Sequence, residues 1–169
     1  ACLTLFSEHP EAQGLIDAII FCTESSDHII PPNACILHKH LNLAENVAAF
    51  DINLGCSGFV YGMAVAQGFI ASGIAANILL VTGDTYSKYI HPKDRSTRVL
   101  FGDGTAVTWI TQSDSDRGLV DLKCSTSGEN FERFIIPAGG CRMPQSEETS
   151  APNMDESSNW RSKENIYMD

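Results

Sequence analysis

Residues 51–84 read DINLGCSGFVYGMAVAQGFIASGIAANILLVTGD, and between Asp51 and Asp84 no residue carries a charge. A neutral stretch of this length raises the question of a membrane span, which needs about 20 consecutive apolar residues. Here Asn53, Ser57, Gln67, Ser72 and Asn77 interrupt it, and Gly55, Gly58, Gly62, Gly68 and Gly73 divide it into strand, helix and strand lengths. The stretch is therefore read as a buried αβ unit with no membrane role. Residues 56–72 are apolar on nearly every face, which predicts a central helix covered on all sides, with Gly73 placed to end it. Residues 47–53 (VAAFDIN) and 76–82 (ANILLVT) supply the strands on either side.

Working outward, residues 15–23 (LIDAIIFCT) form a β-rich apolar run, and Pro31-Pro32 forces an extended entry into a short helix near 33–41. Phe101-Gly102-Asp103-Gly104 is a turn signal leading into a strand at 105–111 (TAVTWIT), and residues 118–125 supply another. Strands alternating with helices, the first three strands apolar on both faces, predict an α/β architecture with a mostly parallel sheet and a buried central helix. The pattern dissolves from about Pro137, and residues 145–169 are polar and rich in Ser, Asn and Glu. Residues 1–136 are accordingly expected as one domain and 137–169 as a polar surface excursion, with no internal repeat and no dividing linker. The opening ACLTLF reads as the end of a helix, not as a signal peptide.

Composition narrows the function. With 43% hydrophobic and 19% charged residues, 13 Gly and 7 Pro, the 169-residue chain supports one substantial core, which excludes disordered, collagen-like and coiled-coil classes. A net charge of −10 argues against a nucleic-acid partner, since neutralising phosphates needs a basic face. The six cysteines lie at wide spacings without a CxxC pair, so neither a zinc knuckle nor a thioredoxin-like pair is written. Most are expected as reduced, buried small hydrophobes in a cytoplasmic protein. His38 and His40, beside Cys35, are two apart and do not share a helix face, so no metal site is expected. Gly102-Asp103-Gly104 lacks the third glycine of a dinucleotide loop, and Trp109 reads as core.

Two features could carry chemistry. Cys56 follows a buried strand and falls in the first turn of the predicted helix, where unpaired backbone N–H groups and the helix dipole favour a thiolate. Gly55 and Gly58 beside it would let a substrate approach the backbone closely. From spacing alone Cys56 is either a nucleophile or a small core residue. Lys88, Lys93, Arg95 and Arg98 place four of the eleven basic residues within one short stretch of an acidic chain. That stretch is either a binding patch for phosphates or an acidic protein, or a solvated loop.

DINLGCSGFVYGMAVAQGFIASG (51–73) resembles the nucleophilic-cysteine segment of β-ketoacyl-acyl-carrier-protein synthase III, a thiolase-fold condensing enzyme. HPKDRST (91–97), FGDGTA (101–106) and IPAGG (136–140) resemble further motifs of that family in the same order. The resemblance implies the N-terminal half of a thiolase-like fold in which Cys56 takes an acyl group from acyl-CoA. A malonyl thioester on acyl carrier protein would then decarboxylate and attack the acyl-enzyme, as in fatty acid or related polyketide synthesis. It further implies that the Cys56 backbone N–H is one of two oxyanion donors, that Arg95 contacts coenzyme A, and that Tyr86 and Phe101 line the acyl pocket. Coenzyme A enters as a substrate thioester, with no resident cofactor, and a homodimer is implied.

The chain departs from the family in instructive ways. The histidine and asparagine that stabilise the enolate in the family's second half have no counterpart in this sequence. The expectation is about half of a condensing enzyme, inactive on its own. Pro31 stands where many members carry an aromatic residue that reaches across the dimer into the partner's acyl pocket, which leaves room for primers longer than acetyl. Alongside this reading stand a thiolase-fold acyltransferase passing the acyl group to oxygen or nitrogen, and a non-catalytic interaction subunit.

Overall fold

The computed structural model describes residues 1–115 and 118–168, which divide into two units. Residues 1–84 and 104–124 make up the first. It opens with helix α1 (Cys2–Glu8) and a 3₁₀ turn at Ala12–Leu15. There follow strand β1 (Ala18–Cys22), helix α2 (Asn33–His40), strand β2 (Ala48–Ile52), helix α3 (Gly58–Ala71), and strands β3 (Asn77–Thr85) and β4 (Asp103–Thr111). The strands form one sheet in the order β2-β1-β3-β4. β1 pairs in parallel with both neighbours, with Ile20 opposite Phe50 and Leu80. β4 runs the other way: Gln112 N–H donates to the Ala76 carbonyl near one end, and Thr105 Oγ1 donates to the Thr82 carbonyl near the other. The mostly parallel α/β sheet expected from the sequence is present.

Side-chain alternation along β1 builds a core on each face of this sheet. Ile19 joins Leu79 and Val81 against Phe6, Ala34 and Leu41 from the α1 and α2 side. Ile20 and Cys22 join Ile78 and Leu80 against Ala66 of α3. Each fully buried Ile or Leu here contributes roughly 1.5–3 kcal/mol. α2 begins after Pro32, which offers no capping side chain; the Asp51 carboxylate of β2 accepts instead from Asn33 N–H at 2.6 Å and Ala34 N–H at 2.8 Å.

Helix α3 meets the sheet through Gly58, Gly62 and Ala66, a buried stripe at four-residue spacing. A Cβ on Gly62 would lie 2.5 Å from Leu80 Cδ1 and 3.3 Å from Cys22 Sγ, and one on Gly58 would lie 3.1 Å from Cys22 Cβ. Three sequence expectations change here. The helix buries Gly58, Gly62 and Ala66 on its sheet side, while Phe59 is 46% and Val60 38% exposed, where the sequence predicts cover on all sides. β2 is an edge strand with half-buried side chains, unlike the doubly buried β1. Residues 118–125 form no strand, since β4 is the last strand of the sheet and an apolar run without backbone partners makes no ladder.

The second unit holds residues 85–103 and 125 onward. It contains strand β5 (Phe134–Ile135), helix α4 (Glu147–Ser150), and strands β6 (Asn153–Met154), β7 (Trp160–Arg161) and β8 (Tyr167–Met168). β5 pairs antiparallel with β8, and β6 with β7. Tyr86, Ile90 and Ile166 form its buried cluster, flanked by Phe101 and Ile136. Residues 137–169 show no sequence periodicity because two-residue strands and side-chain-capped turns impose none. Their order comes from polar contacts such as the Ser146–Thr149 capping box and the ion pair between Arg161 Nε and Asp94 Oδ2 at 2.5 Å. Burial pushes the Asp94 carboxyl up, but hydrogen bonds from Arg161, Thr97 and Ser96 outweigh it and hold the group well below the usual carboxylate range.

Two outcomes follow from this packing. Gly62→Ala overpacks the helix–sheet contact at a cost of about 1–3 kcal/mol, more than the ~1 kcal/mol of helix propensity it gains, so urea denaturation will show a net loss. Gly68→Ala, with nothing within 4 Å of the added methyl, will raise stability by about 0.5–1 kcal/mol. The lowered Asp94 value means that its contribution is complete above the unfolded carboxyl value of 3.8 and is lost as pH falls below it. Hydrogen-exchange protection of peptides 92–98 and 155–161, corrected for the intrinsic rate, will therefore fall progressively below about pH 4. In Asp94→Asn the same peptides will already exchange faster at pH 7, and the acid dependence will flatten.

Candidate active site

The carboxyl ends of three parallel strands meet at one edge of the first unit, the end where open α/β sheets place their ligands. At the end of β3, Asp84 Oδ1 accepts from Thr23 Oγ1 at 3.0 Å, Glu24 N–H at 2.8 Å and Ser25 Oγ at 2.8 Å, which ties down the chain as it leaves β1. Cys22 ends β1 with its thiol 3.3 Å from the Gly58 carbonyl, to which it donates. Burial, with added repulsion from Asp51 and Asp84, pushes this thiol up to about 11, so Cys22 is a packing residue and no nucleophile.

Cys56 lies in the turn between β2 and α3, closed by Gly58 N–H donating to the Gly55 carbonyl at 2.8 Å. Its side chain is exposed. The helix begins at Gly58 with Ser57 as its N-cap, so Cys56 precedes the first turn that the sequence predicts to contain it. The Cys56 backbone N–H has no hydrogen-bond partner among the described residues. Gly58 serves the packing of α3 onto Cys22, where the sequence suggests access for a substrate. Exposure alone does not single Cys56 out, because Cys35, Cys124 and Cys141 are also exposed. Pro31 occupies a separate, exposed loop of the same unit, next to Ile29 and Ile30, which are 95% and 82% exposed. Cys35, His38 and His40 ride the short helix α2, and no metal-holding cluster of three or more His, Cys, Asp or Glu occurs among the described residues.

In the second unit Tyr86 and Phe101 come together edge-to-face, with ring centroids 5.4 Å apart, and Phe134 joins both. Arg95 is exposed, and its side chain makes no hydrogen bond or ion pair among the described residues. Its basic neighbours are more committed: Arg98 donates to the Pro92 carbonyl at 3.3 Å, and the Lys93 ammonium sits 5.3 Å from the centre of the Trp160 ring. The sequence reading passed over Asp94, Asn159 and Arg161, whose side chains hold the Arg95 turn. The only local sign was Asp94 next to Arg95 in HPKDRST; its partner Arg161 lies 67 residues away in a stretch without periodicity.

The model of the 3-oxoacyl-[acyl-carrier-protein (ACP)] synthase III family matches residues 50–128, the stretch from β2 through Cys56, Arg95 and β4. A β-ketoacyl-[acyl-carrier-protein] synthase III of Caldanaerobacter subterraneus subsp. tengcongensis is 42% identical over 139 residues, which cover 82% of this chain and 42% of that protein. A crystal structure of a 3-oxoacyl-(acyl-carrier-protein) synthase III superposes over the whole chain with a TM-score of 0.95 at 37% identity, covering 50% of that structure. The 3-oxoacyl-(acyl-carrier protein) synthase of Burkholderia xenovorans LB400 superposes with a TM-score of 0.80 at 33% identity, covering all of this chain and 46% of that structure. The chain thus spans less than half the length of the curated relative and up to half of these structures. The α/β sheet architecture superposes on that of these proteins, and the chain belongs to the 3-oxoacyl-[acyl-carrier-protein] synthase III family of thiolase-fold condensing enzymes.

Proposed function

We propose that this chain carries the acyl-accepting cysteine of a β-ketoacyl-acyl-carrier-protein synthase III. The observation that carries the proposal is the Cys56 turn, an exposed thiol whose own backbone N–H is unpartnered among the described residues, at the head of a helix fixed to the sheet. The Cys56 sulfur attacks the carbonyl of an acyl-CoA thioester, and the coenzyme A thiolate leaves. The tetrahedral oxygen formed on the way takes a hydrogen bond from the Cys56 N–H. A malonyl thioester on acyl carrier protein then loses carbon dioxide, and the resulting enolate carbon attacks the acyl-enzyme. The Cys56 thiolate is expelled and the ketoacyl thioester remains on the carrier. Splitting the condensation at an enzyme thioester replaces one hard step by two easier ones. The family resemblance assigns stabilisation of this enolate to a histidine and an asparagine whose motifs have no match in these 169 residues.

Arg95, exposed and uncommitted, is the coenzyme A contact in this reading, and Tyr86 and Phe101 form one wall of the acyl pocket. The enzyme works as a cytoplasmic homodimer. Support for the dimer is the exposed Ile29-Ile30 pair beside Pro31, where the family resemblance places contacts between subunits. No helix among the described residues is long and apolar enough to cross a membrane.

Brief alkylation at neutral pH in the enzyme containing this chain, followed by peptide mapping, will label Cys56 before the other five thiols and abolish activity in proportion. Labelling of Cys35, Cys124 or Cys141 first, with activity retained, rejects the assignment. Arg95→Ala will raise KM for acyl-CoA about tenfold while kcat changes less than about twofold, the sign of lost uniform binding. A collapse of kcat at unchanged KM rejects the coenzyme role.

A further inference from the structure

Arg95 sits in a turn whose backbone is held by its own Asp94 and by side chains from a distant hairpin. Asn159 Oδ1 accepts from Arg95 N–H at 3.0 Å and from Ser96 N–H at 3.2 Å. Asp94, 1% exposed, accepts through Oδ1 from Ser96 N–H at 3.1 Å and Thr97 N–H at 2.9 Å. Arg161 lies over both, with Nε 2.5 Å from Asp94 Oδ2 and a terminal nitrogen donating to Ser96 Oγ at 2.8 Å. The hairpin carrying Asn159 and Arg161 is itself fixed at Asp155, whose Oδ1 accepts from Ser157 N–H at 3.0 Å and Asn159 N–H at 2.8 Å. Asn159 is 4% exposed, so its carbonyl oxygen is committed to the turn and not to solvent.

This places two arginines in opposite roles. The Arg161 side chain is 13% exposed and occupied by Asp94, with Asp155 3.7 Å from its other terminal nitrogen, while Arg95 is exposed and its side chain has no hydrogen bond or ion pair among the described residues. A side chain with four rotatable bonds binds a phosphate better when its backbone is pre-set, because less ordering entropy is then lost on binding. The geometry points to the 155–161 hairpin as the clasp that pre-sets the Arg95 turn, with Asn159 and Arg161 as positioning residues for the phosphate end of the acyl-CoA substrate. This rests on the reading of Arg95 as the coenzyme A contact. Neither Asn159 nor Arg161 touches substrate in this account; each acts through the Arg95 backbone.

The test is a double-mutant cycle in the enzyme containing this chain, using acetyl-CoA as the probe. Arg95→Ala, Asn159→Ala and the pair together are compared for half-saturating acetyl-CoA and for the maximal rate of Cys56 acylation. The clasp requires that Asn159→Ala alone raise the half-saturating concentration roughly fivefold, for the loss of two hydrogen bonds, with the maximal rate unchanged within about twofold. It also requires that Asn159→Ala add nothing once Arg95 is already alanine. Asn159→Ser, which keeps a side-chain oxygen acceptor, will recover part of the binding. If Asn159→Ala does not fold, Arg161→Lys, which keeps the charge and loses the fork, takes its place in the cycle. Full additivity in the Arg95→Ala background, or loss of maximal rate at unchanged half-saturation, overturns the positioning role while leaving the Arg95 assignment intact. An Arg95→Ala enzyme that binds acetyl-CoA as well as the unaltered protein overturns the assignment and the clasp with it.

Discussion

The contact on which the site depends is the one between the glycine stripe of α3 and the sheet beneath it. Gly58 and Gly62 have no Cβ, and the space that one would fill is taken by Cys22 and Leu80. The helix axis therefore lies closer to β1 and β3 than ordinary side chains would permit. Because the turn ahead of the helix is only a few residues long, that depth also sets where Cys56 stands relative to the strand ends. A larger residue in the stripe would lift the helix and carry the thiol with it. Packing density in this core and placement of the candidate nucleophile are one constraint.

Aspartates at strand ends complete the frame. Asp17 Oδ2 accepts from Ala76 and Asn77 N–H, both at 2.9 Å; Asp51 caps α2; and Asp84 gathers the residues after β1. Each carboxylate satisfies backbone or hydroxyl donors that the ends of a parallel sheet leave without ladder partners. Two of these charges also raise the neighbouring Cys22 thiol, so the same residues that order the strand ends keep the buried cysteine protonated and unreactive. One thiol at this edge is locked into packing and another, Cys56, is left exposed.

The second unit solves a different problem with the same chemistry. It has few apolar residues to bury beyond Tyr86, Ile90 and Ile166, and it relies on polar clasps to hold turns in single conformations. An isolated exposed ion pair would add little, but Asp94 and Arg161 are largely withdrawn from water and share their remaining valences with Ser96 and Thr97. Such a network gives a turn rigidity that hydrophobic burial alone does not supply in so small a unit.

The sequence by itself determined what depends on local order. The alternation of strand and helix lengths between 47 and 82, the end of α3 at Gly73, whose φ is +71°, and the position of Cys56 after β2 all follow from spacing within a few residues, whereas the start of α3 two residues beyond Cys56 does not. Family motifs in order then pointed to thioester chemistry. Only the tertiary structure decided that β4 runs antiparallel, that residues 118–125 have no strand to pair with, that Gly58 is a packing glycine, and that a stretch without periodicity between 153 and 161 holds the Arg95 turn. These are contacts between residues up to 67 positions apart. They depend on where the folded backbone brings particular side chains, and a hydrogen bond to a turn leaves no repeat in the sequence from which it could be read.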